Sequence, residues 1–255
     1  MNETHRDDIL DQFTRQAAGF SQAPGIVDAA ALRLLVKFSG ANRDDTVLDV
    51  ACGPGIVACA FAQVARHVTG IDITPAMLEL ARARQEELGL QNLTWHAGDV
   101  LPLPYRDAEF SLVVSRFAFH HFLDPGAVLR EMIRVTRARG TVVVADSAPA
   151  PDKAAAFNIM EKLRDPSHVR AMPVDELRAL MLDAGLPPPR VTDHRLEGEF
   201  EGLLARSFPR PEDVPELRRM FEAALVADTL DVAARRDGGT IRYKYPLAIL
   251  VSHKP

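Results

Sequence analysis

The sequence predicts an α/β protein with a mainly parallel sheet, and three observations predict it. Short apolar runs, each the length of one buried strand, alternate with segments whose apolar residues recur at helical spacing. The first of these runs ends in a glycine-rich turn that opens directly onto a helix-patterned segment. The chain's 255 residues, 47% of them hydrophobic and 25% charged, suffice for a large buried core in a globular protein. The expectation is a seven-stranded sheet with helices on both faces and a last strand that runs antiparallel.

Two helical segments, residues 7–20 and 28–38, precede the sheet. Residues 46–50, 68–72, 93–97, 110–115 and 141–146 then read as buried strands, with helices at 56–65, 75–88 and 125–137 between them. In the last helix Val128, Leu129, Met132, Ile133 and Val135 form an apolar stripe, leaving Arg130, Glu131, Arg134 and Arg137 for solvent. Pro75 suits a first helical turn and Thr74 its cap. Beyond residue 146 the pattern changes. Pro149 and Pro151 mark a loop, helices follow at 153–164 and 174–184, and Pro187-Pro188-Pro189 forces an extended connection. Residues 191–196 read as a sixth strand and 212–230 as a helix; 240–252, introduced by Gly238-Gly239, read as a long strand returning antiparallel.

The net charge of −5 argues against nucleic acid as a partner. The N-terminus is charged and lacks an apolar signal core, and no run approaches the roughly 18 apolar residues of a membrane span. Two cysteines, Cys52 and Cys59, make neither a disulfide framework nor a metal cluster. These features predict a cytoplasmic protein that inserts into no membrane, binds no metal and exists as a monomer or homodimer.

Gly53-Pro54-Gly55-Ile56-Val57-Ala58 fits the pattern G-x-G-x-x-G/A, and Asp72 ends the next strand about 20 residues on, where a carboxylate accepts ribose hydroxyls. A nucleoside-containing ligand follows. Asp49, at the end of the first strand, helps to decide which. A pyrophosphate favours bare N–H groups at a helix start, whereas a carboxylate there favours a cationic group such as an ammonium or sulfonium. A second acidic residue, Asp99, follows the third strand, where it can accept from an adenine amino group. An NAD-dependent oxidoreductase is the alternative that Asp49 and Asp99 disfavour. A non-catalytic regulatory protein that keeps the cofactor is another.

VLDVACGPG at 47–55, TGIDIT with the following Met77, and GDVLPLPY from residue 98 resemble the ordered motifs of class I S-adenosylmethionine-dependent methyltransferases. The similarity continues through LVVSRFAFHHFLDPGAVLREMIRV and RGTVVVAD, covering roughly residues 40–147. Within that family the chain resembles the ubiquinone/menaquinone-biosynthesis type, and more closely a bacterial small-molecule branch with an LRDPSHVR segment. The resemblance implies a Rossmann-like fold in one domain, 1–255: an N-terminal helical cap (1–40), a cofactor-binding core (41–147), and acceptor-side helices with the C-terminal strands (148–255). It also implies S-adenosyl-L-methionine as cofactor and S-adenosyl-L-homocysteine as product. Asp49, Ala51, Gly53 and Gly55 would hold the methionine moiety, Asp72 the ribose, and Asp99 the adenine amino group. Ile73 and Met77 would sandwich the adenine ring, with Val100 behind it.

Transfer from a sulfonium requires alignment and water exclusion more than a fixed nucleophile. A base matters only where the acceptor must lose a proton. Arg116 and His121, after the fourth strand, are expected beside the cofactor, and His120 nearer the acceptor. Asp146 and His168 complete the catalytic candidates. Arg164 and Arg170 could bind an acidic group on the substrate, and Phe13 and Phe20 could close the first helix over it. The acceptor is expected to be a small molecule with an oxygen, nitrogen or carbon target; a quinone precursor is the alternative.

Overall fold

A computed structural model describes residues 3–20 and 27–255. Two helices, α1 (Glu3–Phe20) and α2 (Ala29–Ser39), lead into the sheet, and Asp28 caps α2 by accepting from the Ala31 amide at 2.7 Å. The parallel part comprises β1 (Thr46–Val50), β2 (His67–Asp72), β3 (Leu93–Ala97), β4 (Phe110–Arg116) and β5 (Thr136–Ser147). Its connections carry α3 (Ile56–Ala62), α4 (Pro75–Glu87) and α5 (Pro125–Val135). The later elements are α6 (Ala154–Arg164), α7 (Val174–Asp183), β6 (Arg190–Glu199), α8 (Phe200–Ser207), α9 (Val214–Ala224), β7 (Arg235–Asp237) and β8 (Thr240–His253).

The strands lie in the order β3-β2-β1-β4-β5-β8-β6, with β7 pairing on β8. β8 runs antiparallel to both β5 and β6. Eight strands form the sheet, where the sequence predicts seven. The extra one, β7, is the short arm of the turn at Gly238-Gly239.

Alternation along the strands divides the core. Val142 and Val144 of β5 face α5 and α7, packing with Leu129, Met132 and Met181. Val143 and Ala145 face the other side with Leu35 of α2 and Phe61 of α3. A third cluster, Phe157, Met160, Phe200, Leu203, Phe221 and Tyr243, joins α6, α8 and α9 to the first half of β8. Leu203 and Tyr243 of that cluster line a cavity.

Several boundaries differ from expectation. The helix expected over 125–137 ends at Val135, because β-branched Thr136 already pairs with Phe110 in the sheet. The strand expected to start at 141 therefore begins five residues earlier (141 − 136). The helix expected over 212–230 stops at Ala224, and Leu230 and Val232 turn into the third cluster as irregular chain. The eight residues of α8 carry no two-turn apolar repeat, and the sequence offers no sign of them. Thr74 occupies the N-cap position of α4 without a side-chain cap bond.

Candidate functional site

β1 and β4 are neighbours, while the chain proceeds from β1 outward to β2 and from β4 outward to β5. Such a reversal opens a crevice at the carboxyl ends of the strands. A cavity of about 160 Å³ lies there, lined by Ala51, Cys52, Gly53 and Pro54 after β1, and by Asp72, Ile73, Thr74 and Met77 after β2. Asp99, Val100 and Leu101 after β3, Arg116, Phe117 and His121 after β4, and Ile9 and Phe13 from α1 complete it.

The turn is locally strained. Ala51, Gly53 and Gly55 have φ of 56°, 50° and 72°, a left-handed region that costs Ala but not Gly. The two glycines serve different ends. A Cβ on Gly55 would lie 2.6 Å from the Trp95 ring and 2.9 Å from Ala81, so its bareness lets α3 start against β3 and α4. A Cβ on Gly53 would meet nothing within 4 Å, and Gly53 forms part of the cavity wall. Its backbone is open to a ligand.

Asp72 and Asp99 both reach the wall. Asp72 Oδ2 accepts from the Gly53 amide and Oδ1 from the Thr74 amide, each at 2.8 Å. Burial nevertheless raises its pKa above the ordinary value. Asp99 Oδ1 accepts from the Leu101 amide at 3.1 Å. Each carboxylate keeps acceptor capacity for a ligand. Asp49 and Gly55 do not line the cavity, contrary to expectation. Asp49 lies beneath the turn, 1% exposed, with Oδ2 unpartnered among the described residues. Burial pushes its pKa up to about 8, and neighbouring Asp72 adds to the rise. Arg116 is close enough to oppose it, and its guanidinium lies 4.6 Å from the Phe117 ring centroid.

A second cavity, about 100 Å³, adjoins the first and shares Phe13, Phe117 and His121 with it. The rest of its wall includes Gln16, His120, Ser147, Glu161, Arg164, Leu203, Arg206, Tyr243 and Tyr245. His120 and His121 occupy a short 3₁₀ turn after β4, with ring centroids 4.2 Å apart. His120 Nδ1 meets Asp146 Oδ1 at 2.5 Å, and Asp146 Oδ2 accepts from the Phe119 amide at 2.8 Å. Burial disfavours the charged ring of His120, but the Asp146 carboxylate outweighs it and raises the pKa. His121 goes the other way, to about 4, through burial and then the charge of His120.

The structure sorts the remaining candidates. Phe13 sits edge-on to His121, centroids 5.0 Å apart, at the wall between the cavities. Phe20 closes α1, and its side chain lies outside the described residues. Asp146 lines neither cavity, but it bonds two wall residues of the second, the His120 ring and the Ser147 amide. His168 also lines neither: it is 1% exposed, bonded through Nε2 to Asn158 Oδ1 at 2.8 Å, and lowered to about 3 by burial and then by His120. Arg164 lines the second cavity but is bidentate on Glu161, at 3.0 and 2.7 Å, with a further bond to Ser207 Oγ. Arg170 is half-exposed, pairs with Glu176 at 2.6 Å and lies outside both cavities. Glu161, Arg206, Tyr243 and Tyr245 are wall residues that sequence reasoning missed. They come from α6, α8 and β8, and no short motif links them.

The family model described as "Methyltransferase domain" matches residues 48–144. The uncharacterised methyltransferase YcgJ of Bacillus subtilis (strain 168) is 31% identical over 66% of this chain and 67% of its own length. YafE of Escherichia coli (strain K12) is 30% identical over 70% of this chain and 86% of its own. Among solved structures, YcgJ superposes with a TM-score of 0.78 at 25% identity, covering 88% of this chain and 98% of that one. BH2331 of Bacillus halodurans C-125 superposes with a TM-score of 0.80 at 27% identity, covering 89% and 100%. The chain belongs to the class I S-adenosylmethionine-dependent methyltransferases.

The residues of this methyltransferase fit the cofactor of its class. An orphaned carboxylate oxygen under the turn suits a nearby cation, and the open face of Gly53 suits a ligand pressed against backbone. Among the described residues no group of three or more His, Cys, Asp or Glu side chains could hold a metal ion, and no helix is long and apolar enough to cross a membrane.

Proposed function

We propose that this methyltransferase moves a methyl group to a hydroxyl oxygen of a small molecule held in the second cavity, with His120 as general base. The observation that carries the reading is His120 in the wall of that cavity, held from behind by the buried Asp146 carboxylate. Bound S-adenosylmethionine supplies a methyl group already activated on sulfur. In the first cavity Gly53 backs its methionine part, Asp72 takes the ribose hydroxyls, Asp99 the adenine amino group, and Ile73 and Met77 flank the ring. Asp49 and Arg116 set the field there.

Phe13, Phe117 and His121 stand between the two cavities and shield the reacting atoms from water. Asp146 fixes the His120 ring through Nδ1, which leaves Nε2 to take the acceptor's proton. A dedicated base favours an acceptor that has a proton to lose, and a hydroxyl is the simplest. The 27-O-demethylrifamycin SV methyltransferase of Amycolatopsis mediterranei, 29% identical over 66% of this chain, supports an oxygen target. A quinone-type carbon acceptor finds support in the UbiE protein of Bdellovibrio bacteriovorus, which matches 53% of this chain at 35% identity.

The test is incubation with isotope-labelled adenosylmethionine and a metabolite extract. We expect a labelled O-methyl product, with transfer by His120→Gln reduced about 10²–10⁴-fold and adenosylhomocysteine affinity unchanged. Full transfer by that variant removes the base. Cofactor binding with no labelled product at all points instead to a non-catalytic regulatory protein.

A further inference from the structure

The polar groups of the second cavity are unevenly matched. Arg164 is neutralised by Glu161, which burial would raise but the guanidinium holds down at about 2. Asp165 is satisfied by the Ser167 amide and hydroxyl and by Gln16. Glu197 pairs with Lys244 at 3.1 Å and Arg235 at 3.6 Å. Arg206 has no such partner: among the described residues no carboxylate lies within ion-pair distance, and its one hydrogen bond to them runs from Nη2 to the Tyr243 hydroxyl at 2.7 Å.

Tyr243 is equally unfinished. Its oxygen accepts from Arg206, but its own O–H donates to no described residue. Burial raises its pKa, so the hydroxyl keeps its proton. The ring is held in place, since a Cβ on Gly198, its partner across β6 and β8, would overlap it at 2.2 Å. Arg206 and Tyr243 therefore bring a cation without a counter-charge and a hydroxyl donor without an acceptor to one wall of the cavity that also holds His120. A guanidinium beside a hydroxyl donor matches the two oxygens of a carboxylate. The surrounding Phe13, Phe117, Leu203 and Tyr245 offer a flat apolar body its place.

We propose that the acceptor is an aromatic hydroxy acid, whose carboxylate is anchored by Arg206 and Tyr243 while its hydroxyl meets His120. This rests on the hydroxyl-transfer reading above. The carboxylate is kept through the reaction, so the product remains an anion.

The probes are the hydroxybenzoate isomers and their matched hydroxybenzamides, titrated into protein loaded with adenosylhomocysteine. At least one isomer should bind about tenfold more tightly as the acid than as the amide, the scale of one charge-assisted contact. Arg206→Met should bring that ratio to within about twofold, Arg206→Lys should keep part of it, and Tyr243→Phe should lower it. Adenosylhomocysteine affinity, measured in parallel, shows that each variant is folded. Wild-type protein with no preference for any acid, including no binding of either series, overturns the proposal, as does a preference that survives Arg206→Met. The reading it rests on fails separately: a labelled product that is a neutral O-methyl compound removes the carboxylate anchor alone, and no labelled product removes hydroxyl transfer as well.

Discussion

Asp49 carries a testable consequence of its burial. Its folded pKa is raised from 3.8 to about 8, so below neutrality the carboxyl is largely protonated. For an acid raised in this way, the protein loses stability as pH rises from the unfolded value toward 8. A cation placed near the orphaned Oδ2 reverses the balance and drives the proton off. Binding of adenosylhomocysteine at pH 7 should therefore release up to about one proton, read by calorimetry in buffers of different ionisation enthalpy. Asp49→Asn should release none, and an equal release by that variant would place the proton elsewhere. Asp72 answers a different measurement. Asp72→Ala should weaken adenosylhomocysteine binding by about 1–3 kcal/mol, the worth of a charged hydrogen bond; unchanged affinity would remove it from the ribose role. These aspartates are legible in the sequence because each sits within a few residues of a strand end. Arg206 and Tyr243 are not, because each has meaning only through the other, across 37 residues of chain.

Among the elements, the turn between β1 and α3 sets two glycines in different surroundings within one short segment. Gly55→Ala would place a methyl against Trp95 and Ala81 and should lower stability by about 2–4 kcal/mol, combining overpacking with left-handed strain. Gly53→Ala meets no atom and should cost about 1–2 kcal/mol through backbone strain alone. Gly53→Val adds bulk on the cavity side and should weaken adenosylhomocysteine binding well beyond the Ala variant. Equal affinities for the two Gly53 variants would mean that the ligand does not approach this backbone. The same locality explains which elements the sequence shows. β1 to β5 read as short apolar runs, and β1, β2 and β4 are each followed by a helix with apolar residues at helical spacing, so periodicity finds them. The junction of α5 with β5 is hidden, because Val135 and Thr136 suit either element and pairing with Phe110 decides between them. The short α8 is hidden for want of length.

Across the whole molecule, the elements around the second cavity are tied together by buried charge. Glu161 of α6 holds Arg164 in two bonds and accepts from the Tyr245 hydroxyl of β8. Arg164 reaches Ser207 at the end of α8, and the Ser207 carbonyl accepts from Gln12 and Gln16 of α1. Asp165 next in sequence binds Gln16 as well. Four elements from both ends of the chain thus close over the second cavity through one network. Glu161 and Asp165 are both held at about 2, below their ordinary 4.5 and 3.8: burial opposes the charged forms, but Arg164 acts on Glu161, and His121 with Arg164 on Asp165, to reverse it. Depressed carboxylates stabilise the fold above their unfolded pKa values, and that stability drains away as pH falls from about 4.5 toward 2. Glu161→Gln should cost about 3–5 kcal/mol at pH 7, because Arg164 is left buried without its counter-charge. Its deficit against wild type should shrink across that acid window, since protonation of wild-type Glu161 produces the same loss. The double variant Glu161→Gln, Arg164→Met should recover much of the stability at pH 7, because it removes both charges together. Urea unfolding at a series of pH values measures all three. A deficit that stays constant down to pH 2 would show that Glu161 acts through packing and not through its charge.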